Sequence, residues 1–334
     1  MSKGKNTASQ HRNSHCFVSY FYDKEGSLIM IVYKELSSLT EDLGFSEKTL
    51  YAVSNTIKKH YHKVKIPKEN GEVRELLVPD ELLKAIQRKI TDVLLSLEEI
   101  SPYATAYRYG GSTVVNAKPH LKNKVMLKLD IRQFFDHIIY PLVKEKAFPE
   151  KRYSESNRVL LTLLCTYKDA LPQGAPTSPA ISNIIMKDFD DLVGGWCNKR
   201  NITYTRYCDD MTFSGDFKPG EVILVVKNEL EKMGFFLNAK KTVILHRGQK
   251  KIVTGIVVNE KLNVPVFYRK EIRKDIYYCK KYGVKSHLEN KQIQMDEKGY
   301  LRKLLGKINY VLSVDSDNKE MSEYKEYVIK ELNK

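Results

Sequence analysis

The most constraining feature of the chain is a tetrapeptide near its middle, Tyr207-Cys208-Asp209-Asp210, which separates two short runs of alternating side chains. The runs, Thr203–Tyr207 and Met211–Ser214, predict two strands joined by a tight turn, with both carboxylates at the tip of a β-hairpin. Neighbouring side chains on a straight strand point to opposite faces, so only a turn brings both aspartates to one site. Adjacent carboxylates repel each other unless a cation lies between them, although an ordinary surface turn is the alternative for this motif taken alone.

Two other segments favour a shared acidic site. Val125–Asp130 is mostly apolar and ends in an acid, which predicts a buried strand whose last carboxylate needs a partner or a metal ion. Leu171–Pro179 is rich in Pro and Gly and precedes the apolar run Ala180–Met186, which predicts a loop and a helix N-terminus that can face an anion. If the first strand ends beside the hairpin tip, its acid and Asp209 share one site.

The charge of the chain indicates a polyanionic partner. The 334 residues carry a formal net charge of +15. The basic residues form five clusters: Lys58–Lys68, Lys118–Lys128, Lys240–Lys251, Lys270–Lys285 and Arg302–Lys307. Any one cluster is equally compatible with a solvated helix face, but the five together favour nucleic acid. The longest apolar run, Leu28–Tyr33, is too short to span a membrane and the N-terminus lacks a signal-peptide core, so we expect a cytoplasmic protein without a membrane partner.

The cysteines predict neither disulfides nor a zinc site. They are five in number, scattered, and without Cys-x-x-Cys spacing: Cys16, Cys165, Cys197, Cys208 and Cys279. This pattern is typical of reduced thiols.

The apolar periodicity predicts an α+β fold. Before residue 124 it predicts two short helices between residues 36 and 61, a hairpin over Lys65–Val78 with a turn at Asn70-Gly71, and an amphipathic helix from Pro79. The elements predicted after residue 124 are strand Val125–Asp130, helices within Pro141–Lys168 and Pro179–Lys199, hairpin 203–214, helix Pro219–Met233, strand Thr242–Leu245, an extended segment Val253–Val258, and helices Tyr268–Tyr282 and Gly299–Val314. This order fits a split βαβ sheet covered by helices on one face.

The order of strand with terminal Asp130, Pro-Gln-Gly loop at 172–174 and Tyr-x-Asp-Asp hairpin resembles the palm of reverse transcriptases. The resemblance implies a right-hand polymerase of fingers, palm and thumb. It divides the chain into an N-terminal segment with the fingers at 1–123, a palm at 124–265 with fingers-side insertions that include 139–178, and a basic, RNA-binding helical thumb at 266–334.

Two further motifs resemble signatures of bacterial retron reverse transcriptases. Asn116-Ala117-Lys118-Pro119-His120 is similar to their Asn-Ala-x-x-His insertion, and Val253-Thr254-Gly255 to their Val-Thr-Gly signature. The chain departs from the family at Cys208, where retrons more often carry Ala, and at Tyr107–Gly111, an unusual approach to the insertion. The resemblance implies an RNA-directed DNA polymerase that uses a cognate structured noncoding RNA as template and 2′-hydroxyl primer and makes branched multicopy single-stranded DNA.

The resemblance also implies the catalytic residues. The expected ligands of two Mg²⁺ ions, replaceable by Mn²⁺ in vitro, are the carboxylates of Asp130, Asp209 and Asp210 and the backbone carbonyl of Ile131. The segment Gly234–Thr242 resembles the next palm motif, whose lysine protonates the leaving pyrophosphate. We assign this lysine to Lys241, with Lys240 as the alternative.

The residues expected to contact the incoming dNTP lie elsewhere in the sequence. Phe135 occupies the position of the aromatic gate against the 2′-hydroxyl of a ribonucleotide. Because consecutive strand residues face opposite ways, we expect one of Phe134 and Phe135 to pack in the core, and the motif register assigns the gate to Phe135. By the same resemblance Gln173 lies against the sugar, Gly174 allows close backbone approach, and Arg74 grips the triphosphate, although an exposed strand arginine is an equally common explanation.

The expected partners follow from the resemblance. The predicted RNA contacts are Asn116, His120, Tyr277, Tyr278 and Tyr282. The product would be single-stranded DNA joined to RNA, an RNA–DNA hybrid whose template is removed by a host ribonuclease H, and a separate effector protein would act with the enzyme in antiphage defence. The alternatives are a group II intron-like or diversity-generating reverse transcriptase and, in another class, a non-catalytic RNA-binding scaffold.

Overall fold

The computed structural model of the protein describes residues 21–22, 28–29, 32–67, 71 and 73–334. The strands are β1 Phe21–Tyr22, β2 Leu28–Ile29, β3 Tyr61–Pro67, β4 Val73–Pro79, β5 Val125–Asp130, β6 Thr203–Tyr207, β7 Asp210–Gly215, β8 Val243–Leu245, β9 Ile252–Val253 and β10 Ile256–Val257.

The α-helices are α1 Leu36–Leu43, α2 Glu47–Asn55, α3 Glu81–Lys89, α4 Thr113–Ala117, α5 Phe134–His137, α6 Tyr140–Lys146, α7 Glu155–Cys165, α8 Ser178–Ile185, α9 Lys187–Asn198, α10 Pro219–Lys232, α11 Val266–Tyr282, α12 Val284–Asn290, α13 Glu297–Val314 and α14 Lys319–Leu332. Short 3₁₀ turns occupy Ile57–His60, Leu95–Leu97, Lys118–His120 and Ala239–Lys241, and a π-turn at Ile90–Leu94 continues α3. None of the helices in the described ranges is long and apolar enough to cross a bilayer.

The chain folds into two compact units. Unit 1 consists of residues 1–101 and 133–189, and unit 2 of residues 102–132 and 190–334. The division into fingers, palm and thumb at residues 123 and 265 stays a prediction.

A four-stranded antiparallel sheet forms the centre of unit 2, with strand order β6-β7-β5-β8. The two strands that flank β5 come from distant parts of the chain: β7 follows β5 by about eighty residues and β8 follows it by more than a hundred. Register places Leu127 opposite Phe213 and Asp130 opposite Asp210. The predicted strand Val125–Asp130 and hairpin 203–214 are confirmed, and the hairpin tip lies beside the end of the first strand.

In unit 1 the predicted hairpin before the amphipathic helix is confirmed and is longer than expected. β3 and β4 pair from Tyr61 opposite Pro79 to Pro67 opposite Val73. Of the predicted turn, Asn70 lies outside the described residues, and Gly71 has a φ of 83°. The following helix α3 is capped by Asp80, whose carboxylate accepts the N–H of Leu83 at 2.9 Å.

The C-terminal helices α11 to α14 enclose an apolar core in unit 2. Its fully buried members on these helices include Ile272, Ile276, Leu304, Ile308, Val311, Met321 and Val328. Met126 of β5 and Val253 of β9 belong to the same core, so these helices pack on the end of the sheet structure. The two predicted basic helices are confirmed as α11 and α13, while α12 and α14 are additional.

Candidate active site

Three carboxylates meet at one edge of the unit 2 sheet. Asp130 is the last residue of β5, and its backbone pairs with Asp210, the first residue of β7. Asp209 lies in the turn before it, and its carbonyl accepts the N–H of Ile131 at 3.1 Å. Asp130 is 4% exposed, whereas Asp210 is exposed. Strand pairing brings acids that are distant in sequence close together in space, as the predicted sheet required.

The turn that carries Asp209 adopts a strained backbone. Tyr207 and Asp210 are paired, so Cys208 and Asp209 alone form the loop, and Cys208 has a φ of 62°. A left-handed conformation is uncommon for a residue with a side chain and must be stabilised by its surroundings. Tyr107 lies against the same turn, with its ring centroid 6.5 Å from that of Tyr207 and its hydroxyl in contact with the Cys208 thiol.

Two side chains of the next palm segment hold Asp130. The Lys241 ammonium donates to one carboxylate oxygen at 2.6 Å, and the Asn238 amide donates to the other at 3.0 Å. The Asn238 N–H also donates to the Asp130 carbonyl at 2.8 Å, and Ile131 bridges to Leu237, so the segment extends the strand pairing beyond β5. Lys240 has no contact of this kind with the acids among those described. The structure therefore brings Lys241 onto Asp130 and adds Asn238, which sequence reasoning missed, while the catalytic role of Lys241 stays a prediction.

The electrostatics of the edge reflect crowded negative charge. Burial and, next, the neighbouring Asp209 carboxylate raise the pKa of Asp210 above its ordinary value. The hydrogen bond to Asp130 raises the pKa of Lys241 above its ordinary value, so its ammonium is charged at neutral pH, and 60% of the side chain is exposed. The ammonium groups of Lys241 and Lys128 offset only part of the charge of three carboxylates, which leaves an excess of negative charge.

The acids are chemically suited to bind a divalent cation, but their side chains are not arranged as a complete metal site. No group of three His, Cys, Asp or Glu side chains in the described part of the chain is arranged to hold a metal ion. Both oxygens of Asp130 accept hydrogen bonds, one from Lys241 and one from Asn238. The predicted metal site of three carboxylates stays a prediction. Carboxylates are the ligands of hard divalent cations, and a cation would offset the Asp209 charge that, after desolvation, raises the pKa of Asp210. Reverse transcriptases generally use divalent metal ions.

The backbone of Ile131 suits its predicted role as a carbonyl ligand. In an extended strand the N–H and C=O of one residue lie on the same edge. Because the Ile131 N–H points to the Asp209 carbonyl, its own carbonyl lies on the side of the acidic turn.

The residues predicted to contact the dNTP belong to unit 1. Arg74 is exposed on β4, and on the same strand the N–H of Leu77 donates to the Gln173 carbonyl at 2.8 Å. Gly174 has a φ of 120°, and a Cβ at this position would lie 2.6 Å from the Leu77 carbonyl oxygen. The close approach that requires glycine is therefore to the protein's own strand, and it fixes the Pro-Gln-Gly loop against β4.

Phe134 and Phe135 correct one expectation. They lie in the short helix α5 rather than on a strand, so the alternation argument does not apply to them. The outcome is nevertheless the expected one, because Phe134 is 2% exposed and Phe135 is only half-buried, with ring centroids 5.3 Å apart.

The structure also corrects the prediction that Asn116 and His120 contact RNA directly. Asn116 is 1% exposed, and His120 is fully buried, where its two ring nitrogens bond the hydroxyls of Ser214 and Thr205 at 2.7 and 2.8 Å. Burial lowers the pKa of His120 to about 4. A neutral imidazole that is hydrogen-bonded to side chains of both hairpin strands supports the sheet and is buried away from solvent.

The two retron-like signatures are bonded to each other. The Asn116 amide donates to the Thr254 hydroxyl at 3.4 Å, and that hydroxyl donates to the Thr113 carbonyl at 3.0 Å. The extended segment predicted at Val253–Val258 is instead a tight hairpin of β9 and β10, with Thr254 and Gly255 in its turn at φ of 44° and 84°. Two residues with positive φ reverse the chain, which is why this segment does not continue as one strand.

The predicted tyrosine contacts remain available on α11. Tyr277 and Tyr282 are 54% and 56% exposed, and Tyr278 is 36% exposed. The Tyr278 and Tyr282 rings stack at 6.0 Å, and the Lys281 ammonium lies 5.1 Å from the Tyr282 ring centroid. The helix thus presents aromatic faces and positive charge together.

Comparison with known proteins agrees with this geometry. The family profile described as reverse transcriptase (RNA-dependent DNA polymerase) matches residues 66–274. Retron Mx65 reverse transcriptase of Myxococcus xanthus is 32% identical over 64% of this chain and 55% of that protein, so the chain spans about half the length of that relative. Retron Ec86 reverse transcriptase of Escherichia coli is 29% identical over 85% of this chain and 86% of that protein.

Retron Ec83 reverse transcriptase of Escherichia coli is 34% identical over 61% of this chain and 71% of that protein. The acidic edge of the sheet, the lysine on Asp130 and the two bonded signatures lie within residues 66–274, the segment that the family profile matches. The chain therefore belongs to the reverse transcriptases, polymerases of the right-hand α+β fold that copy RNA into DNA, and within them to the bacterial retron enzymes.

Proposed function

We propose that the chain copies part of a cognate structured noncoding RNA into single-stranded DNA and starts synthesis from a 2′-hydroxyl of that RNA. The product is a branched RNA–DNA molecule. The observation that carries the proposal is the meeting of Asp130, Asp209 and Asp210 with the Lys241 ammonium at one edge of the sheet.

This arrangement suits phosphoryl transfer, which depends on positioning and charge stabilisation rather than on covalent chemistry by the protein. When bound, two Mg²⁺ ions would lower the pKa of the attacking hydroxyl and stabilise charge on the pyrophosphate, and Asp130, Asp209 and Asp210 would hold them. Lys241 carries a proton on Nζ at neutral pH, and the hydrogen bond to Asp130 places that ammonium at the acidic edge, where it donates the proton to the leaving pyrophosphate. Asn238 holds the Asp130 carboxylate in a fixed rotamer.

The substrate proposal concerns dNTPs. Phe135 is only half-buried, so its ring is available as the gate against a 2′-hydroxyl, whereas Phe134 packs in the core. The exposed Arg74 guanidinium suits a triphosphate, and Gln173 is exposed at the loop that Gly174 fixes to β4. Replacement of Phe135 by Ala is expected to raise incorporation of ribonucleotides relative to dNTPs.

The RNA partner is assigned to the surface of the C-terminal helices. Tyr277, Tyr278 and Tyr282 offer stacking faces beside Lys281, and structured RNA is recognised through phosphates, 2′-hydroxyls and stacked bases. The resemblance to retron enzymes adds three further parts to the proposal: a host ribonuclease H that removes template RNA, a separate effector protein, and a role in antiphage defence.

The test is reconstitution from purified parts. The protein, the structured RNA encoded beside its gene, Mg²⁺ and dNTPs are combined, and the product is treated with a 2′,5′-debranching enzyme. We expect a DNA strand attached to RNA whose mobility changes only after debranching. A linear DNA product from the same RNA would contradict priming from the 2′-hydroxyl.

Two controls separate the alternatives. A poly(rA)/oligo(dT) substrate tests polymerisation without the cognate RNA, and extension on it excludes a non-catalytic scaffold. An unrelated structured RNA of equal length tests recognition, and branched product from both RNAs would favour a less selective reverse transcriptase of the group II intron or diversity-generating type.

A further inference from the structure

A fully buried ion pair lies directly behind the catalytic turn in unit 2. The Arg206 and Asp190 side chains are both 0% exposed. Arg206 Nε donates to both Asp190 oxygens at 2.9 and 3.0 Å, and its Nη2 donates to one of them at 2.6 Å. The Tyr204 hydroxyl donates to the same carboxylate at 2.7 Å. The fork geometry satisfies both charges away from water.

The same guanidinium reaches the strained turn. Arg206 Nη1 donates to the Cys208 carbonyl at 2.9 Å, immediately before Asp209. On the other side of the turn the Asp209 carbonyl accepts the Ile131 N–H at 3.1 Å. The two peptide units that flank the Asp209 Cα are therefore each held by a hydrogen bond, and the left-handed Cys208 is fixed between paired strands.

The backbone of Arg206 is held as firmly as its side chain. Its N–H donates to the Tyr103 carbonyl at 2.8 Å, and its carbonyl accepts the Thr105 N–H at 2.8 Å and the Thr105 hydroxyl at 3.0 Å. The Thr105 hydroxyl also lies 2.8 Å from Asn116 Oδ1 and shares its single proton between this oxygen and the Arg206 carbonyl, which links the residue to the retron-like signatures. The segment 103–105 thus holds the backbone of Arg206, and its side chain bonds both Asp190 and the Cys208 carbonyl.

Stability alone is a weak reason for such a pair. Removal of two charges from water costs several kcal/mol per ion, and a well-packed apolar replacement is often as stable. This ion pair also bonds the strained turn, so it can fix the orientation of the backbone there. The direction of the Asp209 carboxylate depends on the orientation of the Cys208 and Asp209 peptide planes.

We propose that Arg206, held by Asp190, is a positioning residue that fixes the Cys208 turn and thereby the direction of the Asp209 carboxylate. The inference rests on the polymerase chemistry assigned to this edge. It predicts that loss of the single bond to the Cys208 carbonyl affects turnover and metal binding more than folding or dNTP binding.

The test variant is Arg206→Lys. Lysine keeps the positive charge beside Asp190 but offers a compact ammonium in place of the planar fork, so it cannot serve Asp190 and the Cys208 carbonyl together. A misplacement of about 1 Å costs on the order of 100-fold in rate, so we expect kcat on poly(rA)/oligo(dT) to fall about 10- to 100-fold. The KM for dTTP should stay within about threefold, because unit 1 residues and not the turn are assigned to the nucleotide.

A second readout does not depend on polymerisation. Mn²⁺ alone is titrated into the protein, and free Mn²⁺ is followed by electron paramagnetic resonance. The apparent Kd should rise about tenfold in Arg206→Lys, because a misdirected carboxylate is a poorer ligand. An unchanged Mn²⁺ affinity overturns the proposal even if wild-type protein fails to polymerise, which separates this inference from the proposed function.

The matched control is Arg152→Lys in unit 1. Arg152 is also buried and paired, with Glu98, so its replacement tests the general effect of losing a buried arginine fork. We expect a lower melting temperature with kcat and Mn²⁺ affinity retained. An equal loss of kcat in both variants, or wild-type kcat in folded Arg206→Lys, refutes positioning by Arg206.

A milder variant covers the case in which Arg206→Lys does not fold. Tyr204→Phe removes only the hydroxyl that orients Asp190 and leaves the ion pair in place. A severalfold decrease in kcat with unchanged KM for dTTP supports the proposal, and unchanged kcat contradicts it.

Discussion

The acidic edge of the sheet and the C-terminal helices are built on opposite principles. At the edge the buried side chains are polar or charged, including Asp130, Arg206, Asp190 and His120, and each makes directed hydrogen bonds. In helices α11 to α14 the buried side chains are mostly aliphatic, with Asp275 and His287 as buried exceptions that lie 3.6 Å apart, and most of the other charges lie on the surface.

The two regions therefore make different contributions: the acidic edge sets the direction of functional groups, and the helices contribute stability. Hydrogen bonds are directional, so one altered atom at the edge changes where a carboxylate points, and an unpaired buried group costs about 1–3 kcal/mol or more. Aliphatic packing is not directional, and truncation of a buried Leu or Ile costs about 2–5 kcal/mol of stability without redirecting a functional group. The exposed face of the helices can therefore change its chemistry while their core keeps the fold.

The largest expected effect is at the tip of the hairpin. Asp209→Asn removes a negative charge that nothing nearby replaces, and it should lower kcat by about 1,000-fold or more, because electrostatic stabilisation of the transition state is lost. Asp216→Asn is the matched control, since Asp216 lies just after β7 and forms an exposed ion pair with Lys124. Primer extension and RNA filter binding are measured on both variants. Equal activity of Asp209→Asn and wild type would remove Asp209 from the chemistry.

Lys241 and Lys240 provide a sharper test, because they are adjacent and differ in contact. Lys241→Ala removes the ammonium on Asp130 and a proton donor, so we expect a 100- to 1,000-fold loss of kcat, a range of about the size found for general acids. Lys240→Ala should change kcat by less than about threefold. Comparable losses in both variants would indicate a general effect of positive charge and contradict the assignment.

His120 tests the buried polar network through pH. Its folded-state pKa of about 4 lies below the unfolded value of about 6.5, so protonation favours the unfolded chain. The stability contribution is complete above pH 6.5 and is lost as the pH falls toward 4, by about 3 kcal/mol of unfolding free energy at pH 4. Urea denaturation at several pH values measures it, and His120→Gln should show a smaller decrease over the same window. Parallel pH curves for both proteins would show that His120 is not the source.

The smallest effect is expected on the helices. Tyr282→Ala removes an exposed ring from α11, and loss of one stacked base costs about 1–3 kcal/mol, so RNA affinity should weaken about tenfold. The melting temperature should stay close to wild type, because 56% of the ring is exposed. Leu224→Ala, an exposed apolar residue on α10, is the control. Unchanged RNA affinity in Tyr282→Ala would leave the aromatic face without its proposed role.

Most of the local structure was predictable because the patterns are local. Strand β5, the hairpin β6–β7 and helices α10, α11 and α13 follow from alternation, apolar stripes and Pro or Gly at their ends. The short helix at Phe134 and the turn at Thr254 were missed, since each spans only a few residues and depends on backbone angles that composition does not reveal.

The functional side chains divide in the same way. The acids and Lys241 were predicted because their motifs are specific, and the structure brings them together. Asn116 and His120 were misassigned to RNA, because a motif does not state whether its polar side chains face water or the interior. Asn238 and Arg206 were missed for a related reason: their partners are far away in sequence or belong to the backbone.

The sequence alone determined the kind of chemistry, since three acids, a lysine and two signatures in fixed order specify a retron-type polymerase. Only the tertiary structure decided which polar residues lie at the acidic edge of the sheet and which are buried supports. Burial and hydrogen-bond direction arise when distant segments pack, and the free energy of a charged or polar group depends on that environment more than on its neighbours along the chain.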